Sequence, residues 1–244
     1  MNKSKLLKTS ILLLIILSAN TAKATSLFDL INNGASITVN DKIFTNWSFK
    51  QTASDSTFLL DAANIDVTGL PATGSNILDP GPGLAFNILN GASVTGNGSY
   101  SFLDFTIDFL ASILPGSGNQ FADVSLGLGG TSLPGTEDLG VFIQEDIHNA
   151  ANQLIATTDV GNDILGGVES SNLNNSYLFL PADYAQSINV TKNILIWATA
   201  QGETASLAGF DQHFSQAPEP GILLLLSMGL IGASIAKKKT TIKL

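Results

Sequence analysis

The 244-residue chain contains no cysteine, and all eleven of its basic residues are lysines, so it contains no arginine either. Without cysteine the protein can form no disulfide, thiolate metal site, thiol nucleophile or acylated lipid anchor, so packing, hydrogen bonds or bound ions must stabilise it. Without arginine it lacks the side chain that binds phosphates and bases in bidentate fashion. These absences exclude several enzyme classes and argue against a nucleic-acid partner.

Positive charge is also scarce in the body of the chain. Residues 25–217 hold 19 acidic residues against Lys42, Lys50 and Lys192, a formal charge of −16, while the two ends carry the other eight lysines. A body this acidic is repelled by nucleic acid, which we therefore exclude as a partner. Its length suits one domain with a substantial core.

The first 24 residues have the three parts of a secretory signal peptide. Lysines come first, the apolar run 11–17 follows, and Ala22-Lys23-Ala24 offers the small residues that signal peptidase requires. The lysines are Lys3, Lys5 and Lys8. Because the apolar run is too short to span a bilayer, we expect cleavage after Ala24 rather than an uncleaved anchor. The mature protein would begin at Thr25.

The other end, residues 218–244, combines a short motif, an apolar run and a basic stop. The motif Pro218-Glu219-Pro220 precedes the uncharged run 221–236, and Lys237, Lys238 and Lys239 end that run. An uncharged run is stable in hydrocarbon as a helix, and the lysines resist crossing the bilayer. At about 24 Å the helix is somewhat short of a bilayer core, a gap that lysine snorkelling can cover. We predict a membrane helix with residues 237–244 in the cytoplasm, and a buried core helix is the less favoured alternative.

This arrangement resembles the PEP-CTERM sorting signal, in which a Pro-Glu-Pro motif, a membrane helix and a basic end are read by the membrane peptidase exosortase. Pro218, Glu219 and Pro220 match the motif position by position. The phrases at 27–49 and 209–216 are also similar to the two ends of many PEP-CTERM proteins of unassigned role. The resemblance implies export across the inner membrane of a Gram-negative cell, anchoring by the tail, cleavage near the motif, and passage to the surface or medium. The alternative is that the motif is an ordinary linker that breaks the helix.

The body has the periodicity of β-strands. In residues 99–109 the apolar side chains Leu103, Phe105, Ile107 and Phe109 alternate with polar ones, as in a half-buried strand. Similar signals lie at 36–40, 42–49, 122–128, 139–145, 153–160, 176–180, 188–198 and 204–215. Turn-forming stretches separate them at 78–83, 90–91, 97–98, 115–118 and 161–163. Nine or ten short strands predict an all-β fold, a single antiparallel β-sandwich of jelly-roll or Ig-like type over residues 25–217.

Two segments have a helical interpretation as well. Residues 26–32 predict a short helix that Asn33-Gly34 ends, and residues 140–155 could form a helix instead of strands. No internal repeat of fixed period occurs, which disfavours a solenoid or propeller.

No catalytic motif occurs in the chain, and we predict that it is not an enzyme. The nucleophile elbow, the H-E-x-x-H helix, the P-loop and the dinucleotide fingerprint are all absent. His148 and His213 are the only histidines, and we interpret both as surface residues. Leu133-Pro134-Gly135-Thr136-Glu137 is interpreted as a loop. A secreted hydrolase is the third hypothesis.

Paired carboxylates suggest calcium as the one metal to consider. The pairs are Asp104 with Asp108, Glu137 with Asp138, and Glu145 with Asp146. Calcium takes oxygen ligands of this kind, but no EF-hand-like loop is present. We favour the simpler interpretation that these charges keep a β-protein soluble and its edges unpaired, with no cofactor or metal bound.

Two functions fit these observations. The leading hypothesis is a non-enzymatic envelope or extracellular-matrix protein, in a biofilm that contains exopolysaccharide, as the resemblance implies. The alternative is a carbohydrate-binding module that stacks sugars on aromatic side chains. The candidate aromatic residues are Trp47, Tyr100, Tyr177, Tyr184 and Trp197.

Replacing Pro218-Glu219-Pro220 with three alanines is expected to leave a full-length, membrane-held protein in cells that contain exosortase, because the peptidase loses its motif. Fractionation and the intact mass of the exported product measure this, and alanines at Thr240 and Thr241 serve as the control. Unchanged mass and location in the motif variant would show that the motif is only a linker.

Overall fold

The computed structural model of the chain describes residues 23–72, 81–218 and 228. These residues form two antiparallel β-sheets packed as a sandwich, which confirms the predicted all-β class. The predicted signal peptide up to Ala22, and the sorting tail from Glu219 onward apart from Met228, lie outside the described residues. Within the described part of the chain, no helix has the length and apolar character needed to cross a bilayer.

Each sheet has seven strands among the described residues. Sheet I contains, in spatial order, β1 (Thr25–Ser26), β4 (Ile65–Leu70), β5 (Gly83–Thr95), β14 (Thr204–Pro218), β7 (Asn119–Leu128) and β12 (Asn174–Leu178), and β8 (Thr131–Ser132) also pairs with β14. Sheet II contains β11 (Val168–Asn172), β10 (Leu154–Leu165), β9 (Leu139–His148), β13 (Ser187–Ala198), β6 (Ser101–Ile113), β3 (Lys42–Ala53) and β2 (Ile37–Val39). Helix α1 (Leu27–Asn32) and short 3₁₀ helices at Ser56–Phe58, Ala62–Asn64 and Pro181–Asp183 complete the fold.

The first helix prediction is confirmed and the second is wrong. Ser26 caps α1 because its hydroxyl oxygen accepts the Asp29 N–H at 3.1 Å, and Leu27 and Leu30 face the core. Residues 140–155 instead form β9 and the start of β10, paired as a hairpin. Every second residue of β9 from Val141 to Ile147 is buried, which is the period of a strand and not of a helix.

Two predicted turns lie inside strands. Asn90-Gly91 has positive φ at both residues but forms a bulge within β5, opposite a register shift in β14. Gly161 is part of β10, and the chain turns at Gly166-Gly167 instead. Glycine permits both a turn and a close approach between strands, so its presence alone does not tell them apart.

Aromatic side chains fill the centre of the sandwich around Phe109. The ring centroids of Phe44, Trp47, Phe86 and Phe214 lie 6.0, 4.8, 6.3 and 6.5 Å from that of Phe109. These rings come from both sheets, so the cluster holds the two layers together.

A bulge in β3 brings Trp47 into this cluster. Asn46 has φ 56°, and the pairing with β6 shifts between Thr45 and Ser48. The extra residue reverses the alternation, so that Asn46 is exposed and Trp47 is buried.

Charged side chains also enter the core. Lys192 on β13 and Glu145 on β9 are paired in register and both are 0% exposed, and Gln212 on β14 reaches them from sheet I. Lys42, beside the β2–β3 turn, is buried as well.

Phe109→Ala is expected to lower the free energy of unfolding by about 4 kcal/mol, because it removes the ring at the centre of the aromatic cluster and leaves a cavity. Phe28→Ala is the matched control, since Phe28 is 49% exposed, and should cost about 1 kcal/mol or less. Urea denaturation measures both values. Similar losses for the two variants would contradict the central position of Phe109.

Candidate functional site

An aromatic strip lies on the outer face of sheet II, and we define it as Tyr100, Phe102, Phe142 and Trp197. Phe102 on β6 stands directly opposite Trp197 on β13 in the strand register. The Tyr100 ring stacks on Phe102 with a centroid distance of 5.6 Å, and Tyr100 is 54% exposed. Phe142 lies one row further along, on β9, opposite Leu195. Four partly exposed apolar side chains therefore share one end of this face.

Glycine allows the Trp197 ring to lie across the neighbouring strand. A Cβ atom added to Gly140 on β9 would lie 2.5 Å from Cη2 and Cζ2 of Trp197, and 2.7 Å from Cβ of Asp163 on β10. Any other residue at position 140 would push the indole ring away from the sheet. A Cβ on Gly161 would similarly lie 3.3 Å from Cδ2 of Phe142.

Polar side chains continue the same face beyond the strip. The Thr106 hydroxyl donates to Asn193 Oδ1 at 3.1 Å, and Asp104 is exposed beside it. A shallow cleft of about 210 Å³ lies there, lined by Lys50, Gln51, Thr52, Asp104 and Thr106. The face thus places hydrogen-bonding groups next to aromatic rings.

The structure brings only two of the five predicted aromatic residues onto this face, Tyr100 and Trp197. Trp47 is in the core, Tyr184 is half-buried against the core, and Tyr177 lies on sheet I. The sequence analysis missed the other two members of the strip. Phe102 falls on the same side of β6 as Asp104, Thr106 and Asp108, and an aromatic residue on the polar side of a strand was the signal that could have found it.

The carboxylate pairs do not form metal sites. Asp108 already accepts hydrogen bonds from Ser48 at 2.7 Å and Thr191 at 2.8 Å. Pairing Glu145 with Asp146 was wrong, because neighbouring residues of a strand face opposite sides, and Glu145 points into the core. The third pair lies in a loop, where Asp138 accepts the Gly166 N–H at 2.7 Å. Over residues 23–72 and 81–218, no three His, Asp or Glu side chains are placed to hold a metal ion.

A second cleft, of about 420 Å³, lies on the outer face of sheet I. Six of its eight lining residues have polar side chains, and the lining consists of Ser125, Leu126, Gly127, Asn174, Asn175, Ser176, Asp211 and His213. His213 Nδ1 lies 2.7 Å from the Gly81 carbonyl oxygen, to which it can donate, and Nε2 lies 3.8 Å from Asp211 Oδ2. The Asp211 carboxylate, at ion-pair rather than hydrogen-bond distance, raises the pKa of His213, and partial burial opposes this.

This arrangement differs from that of a catalytic base. A histidine that activates a nucleophile must direct one ring nitrogen at that nucleophile, whereas both nitrogens of His213 face a carbonyl or a carboxylate. His148 ends β9 in the other sheet, so the two histidines do not share a site.

Stability should depend on pH through His213. The pKa of His213 is higher in the folded protein than the value of about 6.5 expected in the unfolded chain, so protonation of His213 stabilises the fold. This stabilisation is fully present below about pH 6.5 and is lost as the pH rises through the pKa of the folded state. Asp211→Asn should reduce the loss of stability between pH 6 and pH 8.5, whereas Asp66→Asn, on the same sheet, should not. Urea midpoints at both pH values and NMR titration of the ring measure this. An unchanged His213 titration in Asp211→Asn would contradict the pairing.

No protein-family model matches the chain, and no curated protein has a significantly similar sequence. Several solved structures are similar at a low level. One is the enzymatically active domain of bacteriophage CBA120 tailspike protein 4, with 13% identity and a TM-score of 0.27 over 69% of this chain and 19% of that chain. The chain therefore spans about a fifth of the length of that protein.

Two carbohydrate-binding modules are similar at the same level. TmCBM61, solved with β-1,4-galactotriose, has 12% identity and a TM-score of 0.29 over 68% of this chain and 88% of that chain. TmCBM27, a module that recognises mannan, has 9% identity and a TM-score of 0.25 over 71% of this chain and 99% of that chain. At these scores the similarity carries no argument about what this chain binds.

Proposed function

We propose that the sandwich is a non-enzymatic carbohydrate-binding module that stacks a sugar ring on the aromatic strip of sheet II. The observation that carries the proposal is Trp197, whose indole lies across Gly140 with Phe102 and Tyr100 beside it. Sugar rings present apolar C–H faces that pack on aromatic rings, while their hydroxyls need hydrogen-bonding partners. The polar groups next to the strip, among them Asp104 and Thr106, supply such partners.

The distribution of charge favours a neutral glycan. Lys42 and Lys192 are fully buried, so Lys50 is the one exposed lysine of residues 25–72 and 81–217. Most of the acidic residues of the body remain at the surface, where they repel an anionic polysaccharide.

The two carboxylates of β6 on this face are not placed as a glycosidase pair. Asp104 and Asp108 lie four residues apart on β6, a distance of about 13 Å along a strand. Glycosidases use two carboxylates about 5–10 Å apart on either side of the bond that is cleaved. These two residues are too far apart for that role.

We further propose that the module is exported and sorted as a PEP-CTERM protein, with signal peptidase and exosortase as processing partners. In support, Lys23 and Ala24 are exposed directly before β1. At the other end β14 runs to Pro218, which pairs with Asn119, so the motif begins where the last strand ends. The module would be held at the inner membrane by its tail and then reach the cell surface or matrix, where a biofilm polysaccharide is the ligand.

Trp197→Ala is expected to weaken binding to a neutral polysaccharide about 30-fold or more, since truncation of a central aromatic anchor costs about 2 kcal/mol. Tyr177→Ala, which removes a 38% exposed aromatic side chain from sheet I, is the matched control and should bind as the unaltered protein does. Affinity electrophoresis or calorimetry against a panel of glucan, galactan, mannan and the anionic alginate measures this.

Gly140→Ala gives a second test of the same site. The added Cβ would displace the indole without removing it, so binding should weaken while Trp197 is still present. The proposal fails if no neutral glycan binds, or if Trp197→Ala binds as well as Tyr177→Ala.

A further inference from the structure

Three side chains with complementary chemistry meet in the core between the sheets. The Lys192 ammonium nitrogen contacts Glu145 Oε2, and Gln212 Nε2 lies 2.5 Å from Glu145 Oε1. All three residues are 0% exposed. An amine and a carboxamide therefore sit on the two oxygens of one carboxyl group, with the amine from sheet II and the carboxamide from sheet I.

The surroundings of this cluster exclude water. Lys192 Nζ lies 6.0 Å from the ring centroid of Phe86 and 5.6 Å from that of Phe210, and these two rings stack at 4.5 Å. Burial lowers the pKa of Lys192 and raises the pKa of Glu145. Both directions favour the neutral amine and the neutral carboxylic acid over the ion pair.

The hydrogen bonds of Gln212 also fit a protonated Glu145. Among the described residues, Gln212 Oε1 has no hydrogen-bond partner. The 2.5 Å distance between Gln212 Nε2 and Glu145 Oε1 is short for an N–H···O bond and typical of an O–H···O bond to a carboxylic acid. A half-turn of the terminal amide exchanges its nitrogen and oxygen, so that the Glu145 hydroxyl donates to Oε1 and polarises the carbonyl, while Nε2, the leaving group, takes the position that has no hydrogen-bond partner among the described residues.

We propose that Lys192 and Gln212 form an intramolecular isopeptide bond that joins the two sheets, with Glu145 as the proton-transfer group. The neutral amine of Lys192 attacks Cδ of Gln212, and the carbonyl electrons move to Oε1, which takes the proton of Glu145. The Glu145 carboxylate then accepts a proton from the attacking nitrogen and delivers one to Nε2. In the collapse of the intermediate Oε1 returns its proton to the Glu145 carboxylate and the carbonyl re-forms, while the Cδ–Nε2 bond breaks. This step releases ammonia and leaves an amide between Nζ and Cδ, with Glu145 protonated as at the start. No oxidant or co-reactant is needed.

The other buried lysine lacks this arrangement and serves as a matched control. Lys42 Nζ pairs with Asp41 at 3.3 Å, a carboxylate on the adjacent residue that is 27% exposed, and it lies over the Phe121 ring. Removing Lys42 tests the loss of a buried lysine without removing the reacting amine.

Mass spectrometry of the full chain tests the proposal directly. A glutamate-specific protease cuts after Glu169 and Glu203 but not between Glu219 and Pro220, which places Lys192 in peptide 170–203 and Gln212 in the peptide that begins at Thr204. We expect these two peptides to remain joined after denaturation, about 17 Da below the sum of their masses, as loss of ammonia in amide formation requires. Lys42→Met should keep the joined peptides, whereas Lys192→Met and Glu145→Gln should give separate peptides, each at the mass of its own sequence.

Several outcomes would overturn the proposal. One is a folded unaltered protein whose two peptides separate at their sequence masses. Another is a loss of about 18 Da with Lys192 joined to the peptide that contains Glu145, which would show condensation with the acid instead. Joined peptides in Glu145→Gln would remove the role of Glu145. Because the unaltered protein is itself the main sample, a variant that fails to fold leaves the test intact.

Discussion

The cluster in the dry centre of the sandwich, in which Lys192 and Gln212 both contact Glu145, constrains the rest of the fold. Removing such polar groups from water costs a few kcal/mol per group unless each finds a hydrogen-bonding partner. A slip of two residues in β9, β13 or β14 would keep the apolar side of each strand inward but move one member of the cluster about 7 Å from the others and leave them unpaired. The cluster therefore selects one register among strands whose apolar alternation would tolerate others, and it does so without any disulfide.

That register decides what the outer faces display. With Lys192 inward, the opposite side of β13 presents Trp197, and β6 presents Phe102 beside it. Gly140 then comes under the indole ring because β9 is the next strand. The binding face we propose and the buried cluster are thus two consequences of the same strand pairing, on opposite sides of sheet II.

Burial of two lysines also shapes the surface. Lys42 and Lys192 are buried in the interior, so the exterior of the sandwich is more anionic than the composition of the body suggests. An exterior of this kind keeps β-strand edges apart and disfavours anionic ligands. The same feature therefore favours solubility and, at the binding face we propose, disfavours an anionic glycan.

The sequence by itself determined the all-β class, most strands and helix α1, because alternation and capping act between near neighbours. It did not reveal β4, β5 or β11, since short or glycine-rich strands resemble loops. Only the tertiary structure decided that Trp47 is inside, and that Lys192 and Gln212 from different sheets both contact Glu145. The physical reason is that a bulge, a strand register and a contact between two sheets depend on the packing of residues distant in the chain, which no local pattern encodes.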